Sequence, residues 1–141
     1  MVAPRGHRLL PHTADLILEA WGDTRASCLE EAAAALVGSF ADTANADIAE
    51  PVPLALDPAG DEDVLVGLLE EVIYLVEVLG VVPTAVALAE RDDGGLSGSF
   101  DVVHVADVEG IGAVPKAVAR GGLTFGPEPD GRWSCRVTVD V

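Results

Sequence analysis

Residues 64–80, VLVGLLEEVIYLVEVLG, constrain the chain most. At helical spacing they place Leu65, Leu68, Leu69, Val72, Ile73, Val76 and Leu79 on one broad apolar band. Glu70, Glu71 and Glu77 interrupt the apolar stretch over residues 64–82, so it is not a membrane span. A helix this apolar must be covered, and a band this wide calls for a sheet. The chain has 141 residues, enough for one domain with a real core. Aromatics are only 4% of a chain that is 50% apolar, so that core is made of Val, Leu, Ala and Ile.

The other elements follow from local signals. Residues 8–10 and 16–21 read as short strands on either side of the polar stretch PHTAD, residues 11–15. Thr24 is placed to cap a helix over residues 25–40, RASCLEEAAAALVGSF, with Asp23 near its positive end. PVPLALDP reads as a strand whose prolines mark an edge or a start. Asp61 is expected to cap the apolar helix, with Glu62 and Asp63 in its first turn and Gly80 as its C′ residue. Two strands then flank the turn Asp92-Asp93-Gly94-Gly95, and ADVEGIGAVPKAV is a loop entering a strand or short helix. A last hairpin turns at Pro127, Pro129, Asp130 and Gly131, with Trp133, Cys135, Val137 and Val139 on one face of the final strand. The expected fold is α+β: a single domain over 1–141, two main helices packed on antiparallel or mixed β-sheet with hairpins. Residues 1–7 read as a flexible N-terminal arm.

Charge narrows the function. Eight Lys and Arg stand against 24 Asp and Glu, a formal net charge of -16. That argues against a direct grip on nucleic acid and favours basic proteins or divalent cations as partners. Cys28 and Cys135 form no CxxC pair and read as buried thiols. The N-terminus shows no apolar signal segment, so the expected location is cytoplasmic.

Asp15 closes PHTAD and Asp140 stands next to the end of the chain. Two aspartates and a terminal carboxylate on Val141 would make a hard-oxygen set for a calcium- or magnesium-like ion. Read alone, Asp15 is more simply a turn residue bonding its own backbone. His12 and Thr13 read as supports of that turn: no nucleophile elbow or oxyanion loop favours a small hydrolase built on His12 and Asp15. His7 and His104 read as structural or surface histidines. Lys116, Arg120, Arg132 and Arg136 read as ion-pair partners of nearby acids rather than a phosphate site.

The order of motifs resembles the archease family. PHTAD leads into a strand, and GDT opens an Ala/Glu-rich helix. An acid-capped LLEEVIYL helix follows, then KAV at residues 116–118 and a W-x-x-x-V-x-V-D-V ending. The resemblance spans residues 9–141. It implies a small, non-catalytic α+β protein that assists the GTP-dependent RNA ligase of tRNA splicing, which joins a cyclic-phosphate or 3′-phosphate end to a 5′-hydroxyl. Such proteins promote guanylylation of the ligase and its multiple turnover. The resemblance also implies a divalent-metal site, calcium above all, held by Asp15, Asp140 and Val141. Where the family continues past KAV with Thr, an aromatic and His, this chain has Ala119, Arg120 and Gly121. The alternative class is an acidic protein-binding or chaperone-like module with no ligase role.

Overall fold

The computed structural model describes residues 4–11, 15–45 and 50–141. Strands β1 (Gly6–Pro11) and β2 (Asp15–Gly22) lead into helix α1 (Arg25–Gly38), the two-residue β3 (Ala41–Asp42) and β4 (Glu50–Leu56). Helix α2 (Asp61–Glu77), β5 (Val81–Glu90) and β6 (Leu96–His104) follow. A 3-10 turn at Val105–Asp107 and the short β7 (Glu109–Gly110) precede β8 (Ala117–Pro127) and β9 (Trp133–Asp140). The strands form a four-stranded sheet in the order β1-β2-β9-β8, a three-stranded sheet β4-β6-β5, and the small pair β3-β7. Every described pairing is antiparallel, so the α+β expectation holds and its mixed-sheet option does not arise.

Helix α1 starts as the sequence indicates. The Thr24 hydroxyl accepts from the Ser27 backbone N–H, and the Thr24 N–H donates to Ser27 Oγ, a reciprocal capping box. The helix ends at Gly38 rather than Phe40, because the Ser39 hydroxyl turns back to the Leu36 carbonyl at 2.6 Å. α1 packs against β2 on one side and β5 on the other. Its buried Ala32, Ala33 and Ala35 keep the helix thin enough to fit between two sheets.

Helix α2 buries nine side chains, from Val64 to Val76, chiefly against β8, with α1 and β5 also packed on it. Each buried Leu or Val contributes roughly 1.5–3 kcal/mol over an exposed one, so this band organises the core. Three expectations are corrected here. Asp61 is the first helical residue, not the cap, and Gly60 occupies the cap with no side-chain bond. The reason is that Arg25 Nη1 takes the Asp61 carboxylate at 2.9 Å. Leu79 lies past the helix end and is 53% exposed. Gly80 follows one residue later than a C′ position, with φ +65°, which glycine adopts without strain.

The expected flexible arm does not include Gly6 and His7. Gly6 and His7 already pair with Trp21 and Ala20 in β1. His7 Nδ1 lies 2.8 Å from Glu31 Oε1, and Arg5 bonds both Glu30 and Glu31. The loop before β8 contains the 3-10 turn and β7, and β8 runs as one long strand interrupted by a register shift between Ala119 and Thr124. No helix among the described residues is long and apolar enough to cross a membrane.

Candidate functional site

The pairing of β2 with β9 builds the site. Leu16 pairs with Val139, and Val139 is fully buried, so the alternation of the strand turns Asp140 to the opposite face. One step further, at the end of the ladder, Asp15 is the direct cross-strand partner of Asp140. Two sequence candidates from opposite ends of the chain are thus neighbours. Directly opposed side chains in an antiparallel pair have Cβ atoms about 4.5–5.5 Å apart, and like charges there destabilise the sheet. A bound cation is one group that turns such a pairing into an attraction.

The third strand of this row is β8. Ala117 pairs with Asp140 on its other side, and the Lys116 N–H donates to the Asp140 carbonyl at 2.8 Å. These bonds fix the Asp140 backbone while its side chain remains exposed; Asp15 and Val141 are half-buried. The donors are all hard oxygens, which suits calcium or magnesium rather than a thiophilic metal. Among the described residues no three His, Cys, Asp or Glu side chains come together, so the acids alone supply two donors. The oxygens of Val141 follow directly in the chain.

The remaining candidates divide clearly. His12 and Thr13 lie outside the described residues. His7 is held by Glu31, as a structural histidine would be. Arg120 bonds Asp63 at 2.7 Å and Arg136 faces Glu19 at 3.6 Å, so both serve as ion-pair partners. Arg132 has no such pair among the described residues. The segment Ala119-Arg120-Gly121 lies where the β8–β9 register shifts, with Gly122 at φ +74°.

One contact escaped sequence reasoning. Cys28 in α1 and Cys135 in β9, both free and buried, lie against each other. The link runs through Ala20, which pairs with Cys135 and whose carbonyl takes the Cys28 thiol at 3.6 Å. The hydrogen bond to Cys135, together with burial, pushes Cys28 far up, so it stays a thiol at neutral pH. Nothing in the spacing of two distant cysteines announces this contact.

The profile of the Archease protein family (MTH1598/TM1083) matches residues 7–141. Two curated relatives, each named "Probable protein archease", come from Mycobacterium tuberculosis strains CDC 1551 / Oshkosh and ATCC 25618 / H37Rv. Each is 41% identical over 136 residues, covering 96% of this chain and 75% of the relative. The fold matches the solution structure of protein 1598 from Methanobacterium thermoautotrophicum with a TM-score of 0.72 at 24% identity, over 96% of this chain and 99% of that one. It also matches the crystal structure of "an archease, possible chaperone" from Thermotoga maritima with a TM-score of 0.67 at 21% identity, over 94% of each chain. The likeness to the two solved structures concerns the fold, while the profile and the curated relatives carry the sequence: the chain belongs to the archease family.

Proposed function

We propose that this chain is a non-catalytic protein cofactor that activates a GTP-dependent RNA ligase, promoting the ligase's guanylylation and multiple turnover in the cytoplasm. Membership of the archease family supports the reading, and the observation that carries its mechanism is the direct pairing of Asp15 with Asp140. Asp15, Asp140 and an oxygen of Val141 are the groups that would hold a divalent ion, calcium by preference. Such an ion would supply concentrated positive charge at the end of the sheet. Calcium takes six to eight oxygens, so water or a partner residue would complete the shell. The formal charge of -16 suits long-range attraction to a basic, RNA-handling partner and raises the encounter rate more than the affinity.

The test is guanylylation and multiple-turnover sealing by the cognate ligase, with and without this protein. The wild-type chain should raise turnover, and Asp15→Ala with Asp140→Ala should abolish the gain while the melting profile stays cooperative. No effect of the wild-type chain refutes the ligase role. Full stimulation by the double variant refutes the metal mechanism and leaves the ligase role standing.

A second reading, an acidic chaperone-like binding module without a ligase role, is favoured by one observation. Arg120, in the segment that departs from the family pattern, is committed to Asp63 within the chain. A pull-down that returns basic proteins but no RNA ligase supports this reading over the first.

A further inference from the structure

We infer that the outer face of the four-stranded sheet carries a binding site for a small phosphorylated ligand, at the end remote from Asp15 and Asp140. A hollow of about 400 Å³ lies there, lined by Arg8, Glu19, Trp21, Glu128, Arg132 and Arg136 among others. That volume falls in the range of small-molecule sites.

Strand register assembles it. Arg8 of β1 pairs with Glu19 of β2, and Glu19 with Arg136 of β9, so two guanidinium side chains flank one carboxylate in a single row across three strands. The next row places Trp21 opposite Ser134. Arg132 enters from the turn between β8 and β9. Its own backbone is tied down: its N–H donates to Asp130 at 2.9 Å and its carbonyl accepts from the Glu128 N–H at 2.6 Å.

Two observations single out this hollow. The chain has only eight Lys and Arg for 24 acids, and Arg5, Arg25, Arg91 and Arg120 are each within salt-bridge reach of a carboxylate. Against that surplus, Arg8 and Arg132 have no carboxylate partner among the described residues. Arg8 lies over the Trp21 ring at 5.0 Å instead. Three guanidinium groups, Arg8, Arg132 and Arg136, stand against two carboxylates in the lining, Glu19 at 3.6 Å from Arg136 and Glu128 beside the Ser134 hydroxyl, so one positive charge is left over.

The second observation is independent of charge. Among the described residues, two buried side-chain polar atoms lack a hydrogen-bond partner, Trp21 Nε1 and Arg132 Nε. Both are donors and both belong to residues of this hollow. Buried donors are costly to leave unpaired, and an acceptor-rich ligand satisfies them. A phosphoryl group offers several acceptor oxygens, and the planar guanidinium fork matches it two bonds at a time. Both atoms are covered in the unliganded chain, so entry of the ligand requires the groups over them to shift, with Arg8 leaving the indole face to join the ligand's oxygens.

Titration of the full chain with inorganic phosphate and with pyrophosphate tests this, at ionic strength fixed by chloride, read on the Trp21 indole N–H resonance. A Trp133→Phe variant assigns that resonance and makes Trp21 the sole tryptophan for a parallel fluorescence titration excited at the tryptophan edge. The expected result is a saturable shift of Trp21. It should weaken about ten- to hundredfold in Arg132→Gln, the usual size of a lost charge-assisted bond, and Arg132→Lys should not restore it. Arg8→Gln should weaken binding while changing the unliganded Trp21 signal. No saturable shift, an equal response in Arg132→Gln, or citrate matching pyrophosphate would each overturn the assignment.

Discussion

Arg25 ties both helices to the β5–β6 hairpin. It binds Glu90 through Nε at 3.0 Å and Nη2 at 2.6 Å, Asp61 through Nη1 at 2.9 Å, and the Gly94 carbonyl at 2.8 Å. Its side chain is 14% exposed, while Glu90 and Asp61 are 47% and 39% exposed. That asymmetry sets the size of the effect. In Arg25→Met the stem packing is kept, and both acids regain water rather than being stranded. Each lost ion pair then costs about 0.5–1 kcal/mol, well below the figure for a buried pair. The Gly94 bond adds about 1 kcal/mol. Removing a cation from the first turn of α1 returns about 0.5 kcal/mol from the helix dipole. The net loss is about 2 kcal/mol, or about 7 °C in Tm for a domain of this size. Urea unfolding read by circular dichroism, with the slope checked for constancy, measures it. In 1 M salt the gap should shrink by about half, because the screening length falls to about 3 Å and the carbonyl bond is least affected. A loss below 0.5 kcal/mol refutes the ion-pair reasoning, and a gap indifferent to salt assigns the effect to packing.

Two further perturbations have definite signs. A Cβ on Gly98 would lie 1.8 Å from the Ala87 carbonyl oxygen across the β5–β6 ladder, a backbone atom that cannot yield without parting the strands; Gly98→Ala should therefore cost about 3 kcal/mol or more, and a thermal shift within 2 °C of wild type would contradict it. Burial works to raise the Glu31 pKa, but His7 and Arg5 outweigh it and hold the carboxyl below its ordinary range. A depressed folded-state pKa gives stability that is complete above the unfolded value of about 4.3 and is lost as pH falls through the folded value. Glu31→Gln should thus narrow the stability difference between pH 7 and pH 3, and an unchanged difference would refute the linkage.

What the sequence discloses depends on how local the cause is. The Thr24–Ser27 cap, the turn around Gly94 at φ +90° and the alternation of the last strand are each set within a few residues. Asp61 misleads because its partner, Arg25, is 36 positions away, and an ion pair at that range leaves no trace in the spacing. The same limit hides the Cys28–Cys135 contact and the hollow around Trp21, both products of β2 lying beside β9. The pairing of Asp15 with Asp140 has the same origin. Residue chemistry alone makes each aspartate more simply a turn or terminal residue, with a shared oxygen set the weaker option; the family resemblance raised that option, and strand order makes the two neighbours.

That strand pair also explains how an acidic chain could carry the two opposite kinds of site proposed above. Along β2 the outward positions run Asp15, Ile17, Glu19, Trp21, and along β9 they run back as Asp140, Thr138, Arg136, Ser134. Carboxylates oppose each other at the first row, and arginines gather around the third and fourth. Six residues of extended strand separate the ends by roughly 20 Å. At that distance, in physiological salt, the two ends lie beyond a screening length of about 8 Å. If both proposals hold, each end should therefore titrate its own ligand with little influence from the other. The net charge of -16 acts on both in opposite senses, drawing cations to the Asp15 row and opposing anions at Arg132. Only short-range, directional donors can overcome that opposition, which is why the unpaired N–H groups of Trp21 and Arg132 matter more to the basic end than its charge does.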